Sequence, residues 1–140
     1  MAEYNEYSPE EVIVIWGAVQ FDGFADGEFV TIELDEDEFT KKAGARGDIV
    51  RTENLNKGGN VKVITQAESA VNDLIMLQIA TKRAYPLTVK YANGTTLVAG
   101  PHCWCKKRPP VAYGKESGNR EWMLDVAEFT TYHVGGNNSL

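Results

Sequence analysis

At 140 residues and 43% hydrophobic content, the chain has the length of one domain with its own core, and it needs no disulfides to fold. The formal charge of −6 hides a division: residues 1–40 hold twelve acids and no Lys or Arg, while the remainder holds fourteen basic residues against eight acids. No apolar run reaches the roughly 18 residues of a membrane span, the start MAEYNEYSPEE is acidic where a signal peptide is basic, and no dominant basic surface exists for nucleic acid. The expectation is therefore synthesis in a cytoplasm with no membrane partner.

The chain reads as a single domain over residues 1–140, with flexible arms at 1–9 and 134–140. Val12–Trp16 is a continuous apolar run that fits a strand covered on both faces, followed by turns at Phe21-Asp22-Gly23 and Asp26-Gly27. Phe29–Leu34 alternates, with Val30, Ile32 and Leu34 on one face and Thr31 and Glu33 on the other. A long acidic and then basic loop follows, over about 36–48. Asp48–Asn54 and Val61–Thr65 flank Asn56-Lys57-Gly58-Gly59-Asn60, which predicts a glycine hairpin joining two neighbouring strands.

One helix is expected, at about 66–83. Its apolar set includes Val71, Leu74, Ile75, Leu77 and Ile79, at three- and four-residue steps around a broad stripe. Thr65-Gln66-Ala67-Glu68 fits a capping box, Ser69 is a second candidate cap, Lys82 and Arg83 come late, and Pro86 forbids continuation. Strands at Leu87–Tyr91, Thr96–Ala99, His102–Lys106 and Arg120–His133 complete the chain, with a turn at Asn93-Gly94. The fold class is mainly β, an antiparallel sandwich or barrel-like domain with one packed helix.

Catalytic chemistry finds little support. The two histidines, His102 and His133, sit in no recognisable pattern, and no serine lies in a GxSxG elbow. The acidic run Glu33–Glu38 lacks the turn glycine and terminal glutamate of a calcium loop. Cys103 and Cys105, one residue apart, suit neither a relaxed disulfide nor a CxxC knuckle and read as buried thiols. No catalytic residue, metal or cofactor is assigned. A weaker alternative groups His102, Cys103, Cys105 and His133 around a soft metal. Another makes the chain a monomeric β-barrel that holds a ligand or partner between Trp16, Trp104 and Trp122.

Residues 27–79 are the most specific stretch. Asp37-Glu38-Phe39, Lys42-Ala43-Gly44-Ala45-Arg46-Gly47, Arg51-Thr52, Lys57-Gly58-Gly59, Val61–Gln66 and Ser69 with Asn72-Asp73 follow one another in order. This block resembles the centre of bacteriophage tail tube proteins, particularly those of contractile-tailed phages; the alternative within the same class is the tube protein of a bacterial contractile injection or secretion system. The sequence departs from that pattern only at the helix entry, where Ala67-Glu68-Ser69-Ala70-Val71 replaces a frequent serine-proline.

The resemblance implies hexameric rings that share a β-barrel and stack into a hollow tube in the virion tail, assembled in the host cytoplasm. Partners implied are further copies of the chain, tail sheath, baseplate, tape-measure and tail terminator proteins, with DNA passing through unbound. Phe39, Lys41, Lys42, Gly44, Arg46 and Gly47 become the inter-ring contact. Glu11, Glu28, Glu33, Asp35, Glu36 and Asp37 become candidates for an acidic lumen or interface, which DNA would not adhere to. Val71, Leu74, Ile75, Leu77 and Ile79 become a helix face at a boundary or in the core.

Overall fold

The structure is a computed structural model and describes residues 7–92 and 94–136. After a single 3-10 turn at Pro9–Glu11 come β1 (Val12–Trp16), β2 (Val19–Gln20) and β3 (Val30–Leu34). β4 (Phe39–Ala43), β5 (Ile49–Glu53) and β6 (Gly59–Gln66) precede the helix α1 (Val71–Ala80). β7 (Tyr85–Tyr91), β8 (Leu97–Lys107), β9 (Asn119–Val126) and β10 (Thr131–His133) follow. All pairings are antiparallel, and the main sheet runs β2-β1-β7-β8-β9-β6-β3 with β10 added to β8.

This is the mainly β architecture with one helix that the alternating segments predict. The sheet curls around one core without closing into a barrel: β2 and β3 end it, and a lone bridge from Phe24 to Thr65 ties the segment after β2 to β6. β6 alternates strictly, burying Gly59, Val61, Val63 and Thr65, as a strand paired on both edges should. Val14 and Trp16 from β1, Leu87 and Val89 from β7, Trp122 and Leu124 from β9, and Val71 and Ile75 from α1 meet these in the core. β1 is less enclosed than its apolar run suggests, since Ile13 and Ile15 on its other face are only half-buried.

β8 merges two expected strands into one that changes neighbours along its length. Leu97–Ala99 lies between β7 and β10, whereas Cys103–Lys107 pairs with β9. Gly100 sits where the exchange occurs, and a Cβ there would stand 2.6 Å from Val126 Cγ1 and 2.9 Å from the Glu128 carbonyl oxygen. Pro86 lies beside the register shift between Tyr85 and Leu87, one of the few interior positions a sheet allows proline. The expected last strand divides into β9 and β10, because Ala127–Thr130 turns inward to bury Phe129.

The connection at 36–48 is not a loop throughout, since Phe39–Ala43 is a strand. The glycine stretch at 56–60 does not join neighbours: β5 pairs only with β4 in a separate two-stranded sheet, and β6 lies between β3 and β9. The connections on either side of β5, residues 44–48 and 54–58, are both five residues long, so closure entropy does not choose between them; β6 instead pairs with β3 and β9, whose apolar side chains share its core.

The helix is shorter at both ends than 66–83. Gln66 continues β6, and Lys82 adopts φ 58, which stops the helix before the late cations. The capping box does not form. Thr65 is buried, accepts a hydrogen bond from Trp122 Nε1 at 3.2 Å and donates to Asn72 Oδ1 at 2.6 Å, so its hydroxyl is committed to the core. Ser69 Oγ instead accepts from the Val71 amide at 3.4 Å.

Of the expected arms, residues 1–6 and 137–140 lie outside the described residues, as does Asn93 of the predicted turn. Tyr7 stacks on Tyr91 at 5.6 Å, the Ser8 amide donates to the Tyr91 hydroxyl, and the Gly136 carbonyl accepts from the Thr95 amide.

Candidate assembly interface

The β4–β5 hairpin projects from the body as a separate arm. Every one of its strand residues is exposed, which is unusual because a lone two-stranded ribbon is marginal in water. Its base is clamped: Asn54 and Asn56 side-chain amides both donate to Glu36 Oε2, at 3.2 and 2.8 Å, and the Asn54 amide donates to the Glu38 carbonyl. The bonds from Asn56, then Asn54, lower the Glu36 pKa and keep it charged. At the tip the Gly44 amide donates to Asp48, the Gly47 amide to Gly44, and Gly47 takes φ +85, a conformation open to glycine.

The register along the arm sets charges against each other. Lys41 faces Arg51 directly across the ribbon, an arrangement that destabilises a free hairpin. The Arg51 guanidinium also lies 4.4 Å from the centre of the Phe39 ring. Phe39 is 48% exposed, and Ile49 and Val50 at the other end of the register are more exposed still. Lys42 points to the opposite face from Lys41, and Arg46 sits in the tip. All six residues expected at an inter-ring contact therefore lie on this arm. Ile49 and Val50 were missed by sequence reasoning, although two β-branched residues inside a charged stretch were a usable signal.

The acidic candidates are not brought to one place. Glu33 lies in β3 on the face away from the core, opposite Asn60. Glu11 ends the 3-10 turn, Glu28 precedes β3, and Asp35, Glu36 and Asp37 lead from β3 into the arm. Among the described residues one ion pair is present, between Lys62 and Glu121 at 3.1 Å, so the arm cations and these acids have no charged partner among those residues.

The helix face divides in two. Val71 and Ile75 are buried and Ile79 packs against the core, but Leu74 and Leu77 are 52% and 68% exposed. Gln78, absent from the predicted stripe, is buried instead; its Nε2 donates to the Trp16 carbonyl at 2.6 Å and its Oε1 accepts from the Ala18 amide.

The metal grouping is not assembled. Cys103 is buried and His102 exposed on alternate sides of β8, while His133 pairs with Leu97 at the far end of that strand. Among the described residues no three His, Cys, Asp or Glu side chains converge as a cation site. Nor do the three tryptophans share a cavity: Trp16 and Trp122 fill the core, with Trp16 Nε1 bonded to the Cys103 carbonyl, only Trp122 of the three borders a cleft, of about 330 Å³, and Trp104 is partly exposed.

An open cleft of about 770 Å³ lies at the opposite end of β3 from the arm, between the 3-10 turn and the segment after β2. Glu10, Asp22 and Asp26 rim it, with Ile13, Phe24 and Phe29 among its apolar lining. Phe24 and Phe29 stack at 4.6 Å.

The chain is 24% identical over 149 residues to structural protein ORF10 of Pseudomonas phage KPP10, across 97% of this chain and 86% of that protein. No protein-family profile matches it. Its structure resembles a chain of the anti-feeding prophage tube-terminating cap, with 11% identity, a TM-score of 0.59 and coverage of 93% of both chains. A chain of the sheath-tube complex of an extracellular contractile injection system aligns at 13% identity and TM-score 0.56, over 89% of each chain. A chain of the native gene transfer agent virion aligns at 11% identity and TM-score 0.60, over 90% of this chain and all of that one. This is a fold found in tail-like particles.

Proposed function

We propose that the protein is a structural component of a phage-type tail, forming hexameric rings that stack into the tube through which DNA leaves the virion. The observation that carries this reading is the exposed arm, whose Lys41 and Arg51 face each other with no ion pair among the described residues and whose Phe39, Ile49 and Val50 are 48%, 66% and 60% exposed. Such a ribbon is stabilised when a neighbouring subunit supplies carboxylates and apolar surface. The phage and injection-system relatives, and the tail-tube-like block at 27–79, support the same reading.

In this arrangement the arm, with Gly44 and Gly47 shaping its tip, contacts the next ring. Glu33 faces the lumen from β3, with Glu11, Glu28, Asp35, Glu36 and Asp37 at the ring margins, so the wall repels the DNA backbone. Leu74 and Leu77 lie against a neighbouring subunit or the sheath. Baseplate, tape-measure and terminator proteins complete the set of partners in the virion tail.

A second reading, a ring that terminates a tube, is favoured by the likeness to the anti-feeding prophage cap and to a sheath/tube terminator of another contractile injection system. Electron microscopy of purified protein with assembly nuclei separates them: long stacked tubes support the tube reading, and single rings capping preformed tubes support the terminator. Replacing Phe39, Lys41 and Lys42 together by alanine is expected to leave rings or monomers. Tubes of normal length would remove the arm from the inter-ring contact.

A further inference from the structure

We infer that the acid-rimmed cleft beside the 3-10 turn is the receptor for the β4–β5 arm of a second copy of this chain. The inference rests on the assembly reading above and adds where the arm lands.

Three observations converge on it. The first is polarity along the molecule. At one end of β6, Gly59 pairs with Leu34 and the Asp35 amide bonds to the Gly58 carbonyl, so this end carries the base of the arm. At the other end, Thr65 bridges to Phe24 and the Gln66 amide bonds to the Gly23 carbonyl, so this end carries the cleft. Eight strand residues separate the two by roughly 26 Å at about 3.3 Å per residue. Arm and cleft are thus at opposite ends, and a contact between them is head-to-tail, the kind that propagates into an open stack.

The second is charge. Glu10 and Asp26 are exposed on the rim, in a chain whose one described ion pair lies elsewhere, and Asp22 stands beside them with one oxygen bonded to the Gly23 amide. Carboxylates of a neighbour are what the Lys41–Arg51 juxtaposition lacks. The third is shape and polarity. The open cleft of about 770 Å³ has an aromatic lining that suits Phe39 and Ile49, which lie on the same face of the arm as Lys41 and Arg51.

The test uses two variants, each lacking one half of the contact. K41E/R51E keeps the cleft and reverses the arm; E10K/D26K keeps the arm and reverses the rim, sparing Asp22 so that its bond to Gly23 survives. The arm variant is isotopically labelled and titrated with unlabelled rim variant while its amide spectrum is followed. The dispersion of each variant's own spectrum checks that it is folded. The expected result is amide shifts confined to the cleft segments, around residues 9–13 and 20–29, at concentrations where each variant alone shows none. Affinity should fall at least tenfold when the unlabelled chain also carries K41E/R51E. Arm-dependent shifts that map elsewhere overturn the cleft while leaving the arm as a contact. An absence of arm-dependent association up to millimolar protein overturns both the cleft and the arm reading.

Discussion

Gln78 is a polar side chain at a helix position that faces the core, and it links α1 to the β1–β2 turn. Its amide satisfies the Trp16 carbonyl and the Ala18 amide at once. Between them, Gly17 at φ +60 would place a Cβ 2.8 Å from Gln78 Oε1, so glycine and glutamine fit one another. Gln78→Leu should cost about 1–3 kcal/mol, because the buried Trp16 carbonyl and the part-buried Ala18 amide lose their partners, and a thermal melt will show it as a drop of several degrees. Cys103 gives a pH signature. Burial, then the Asp125 and Cys105 charges, push its thiol from 9.0 to about 12. The folded chain then holds a proton that the unfolded chain releases, so this contribution to stability declines as pH rises from about 9 towards 12. Urea midpoints across that window should fall less steeply for Cys103→Val than for the parent, and Cys103 should resist alkylation at pH 8 until the protein unfolds.

At the scale of elements, the helix and the arm separate folding from assembly. Ile75 is fully buried whereas Leu74 and Leu77 project into solvent. Ile75→Ala is therefore expected to destabilise by about 2–5 kcal/mol, and L74Q/L77Q by less than about 0.5 kcal/mol, in chemical denaturation of the monomer. A large loss in the second variant would show that this face is packed within the subunit. β3 was legible in the sequence because Val30, Ile32 and Leu34 repeat with the period of a strand, and its core-facing side is the one expected. The helix was legible as an element but not in its limits. Thr65 fits a cap by sequence, but Trp122, in β9, and Asn72, in the first turn of α1, take its hydroxyl. The partner of β5 was also out of reach, since a hairpin on either side of that strand satisfies the same local turn chemistry.

For the whole molecule, the charge division of the sequence is only partly spatial, since Asp35, Glu36, Asp37 and Glu38 stand at the base of the basic arm. Basic residues extend on an arm at one end of β6, and three carboxylates rim a cleft at the other. If neighbouring copies join through these groups, self-association should weaken as salt rises from about 0.05 to 0.5 M, because exposed charges are screened over a few ångströms there. Sedimentation across that range checks it, and association that strengthens with salt would place the dominant contact on apolar surface such as Leu74 and Leu77 instead.

The sequence by itself determined the class of fold, the faces of its regular strands, the existence of one helix and the charge division. These follow from side-chain periodicity and composition, which are local properties. The tertiary structure alone decided that β5 turns back on β4, that Gln78 is buried, that the six acidic candidates are dispersed, and that arm and cleft occupy opposite ends. Those outcomes depend on which distant segment offers the better pairing or hydrogen-bond partner, a competition between long-range contacts that no local window of residues contains.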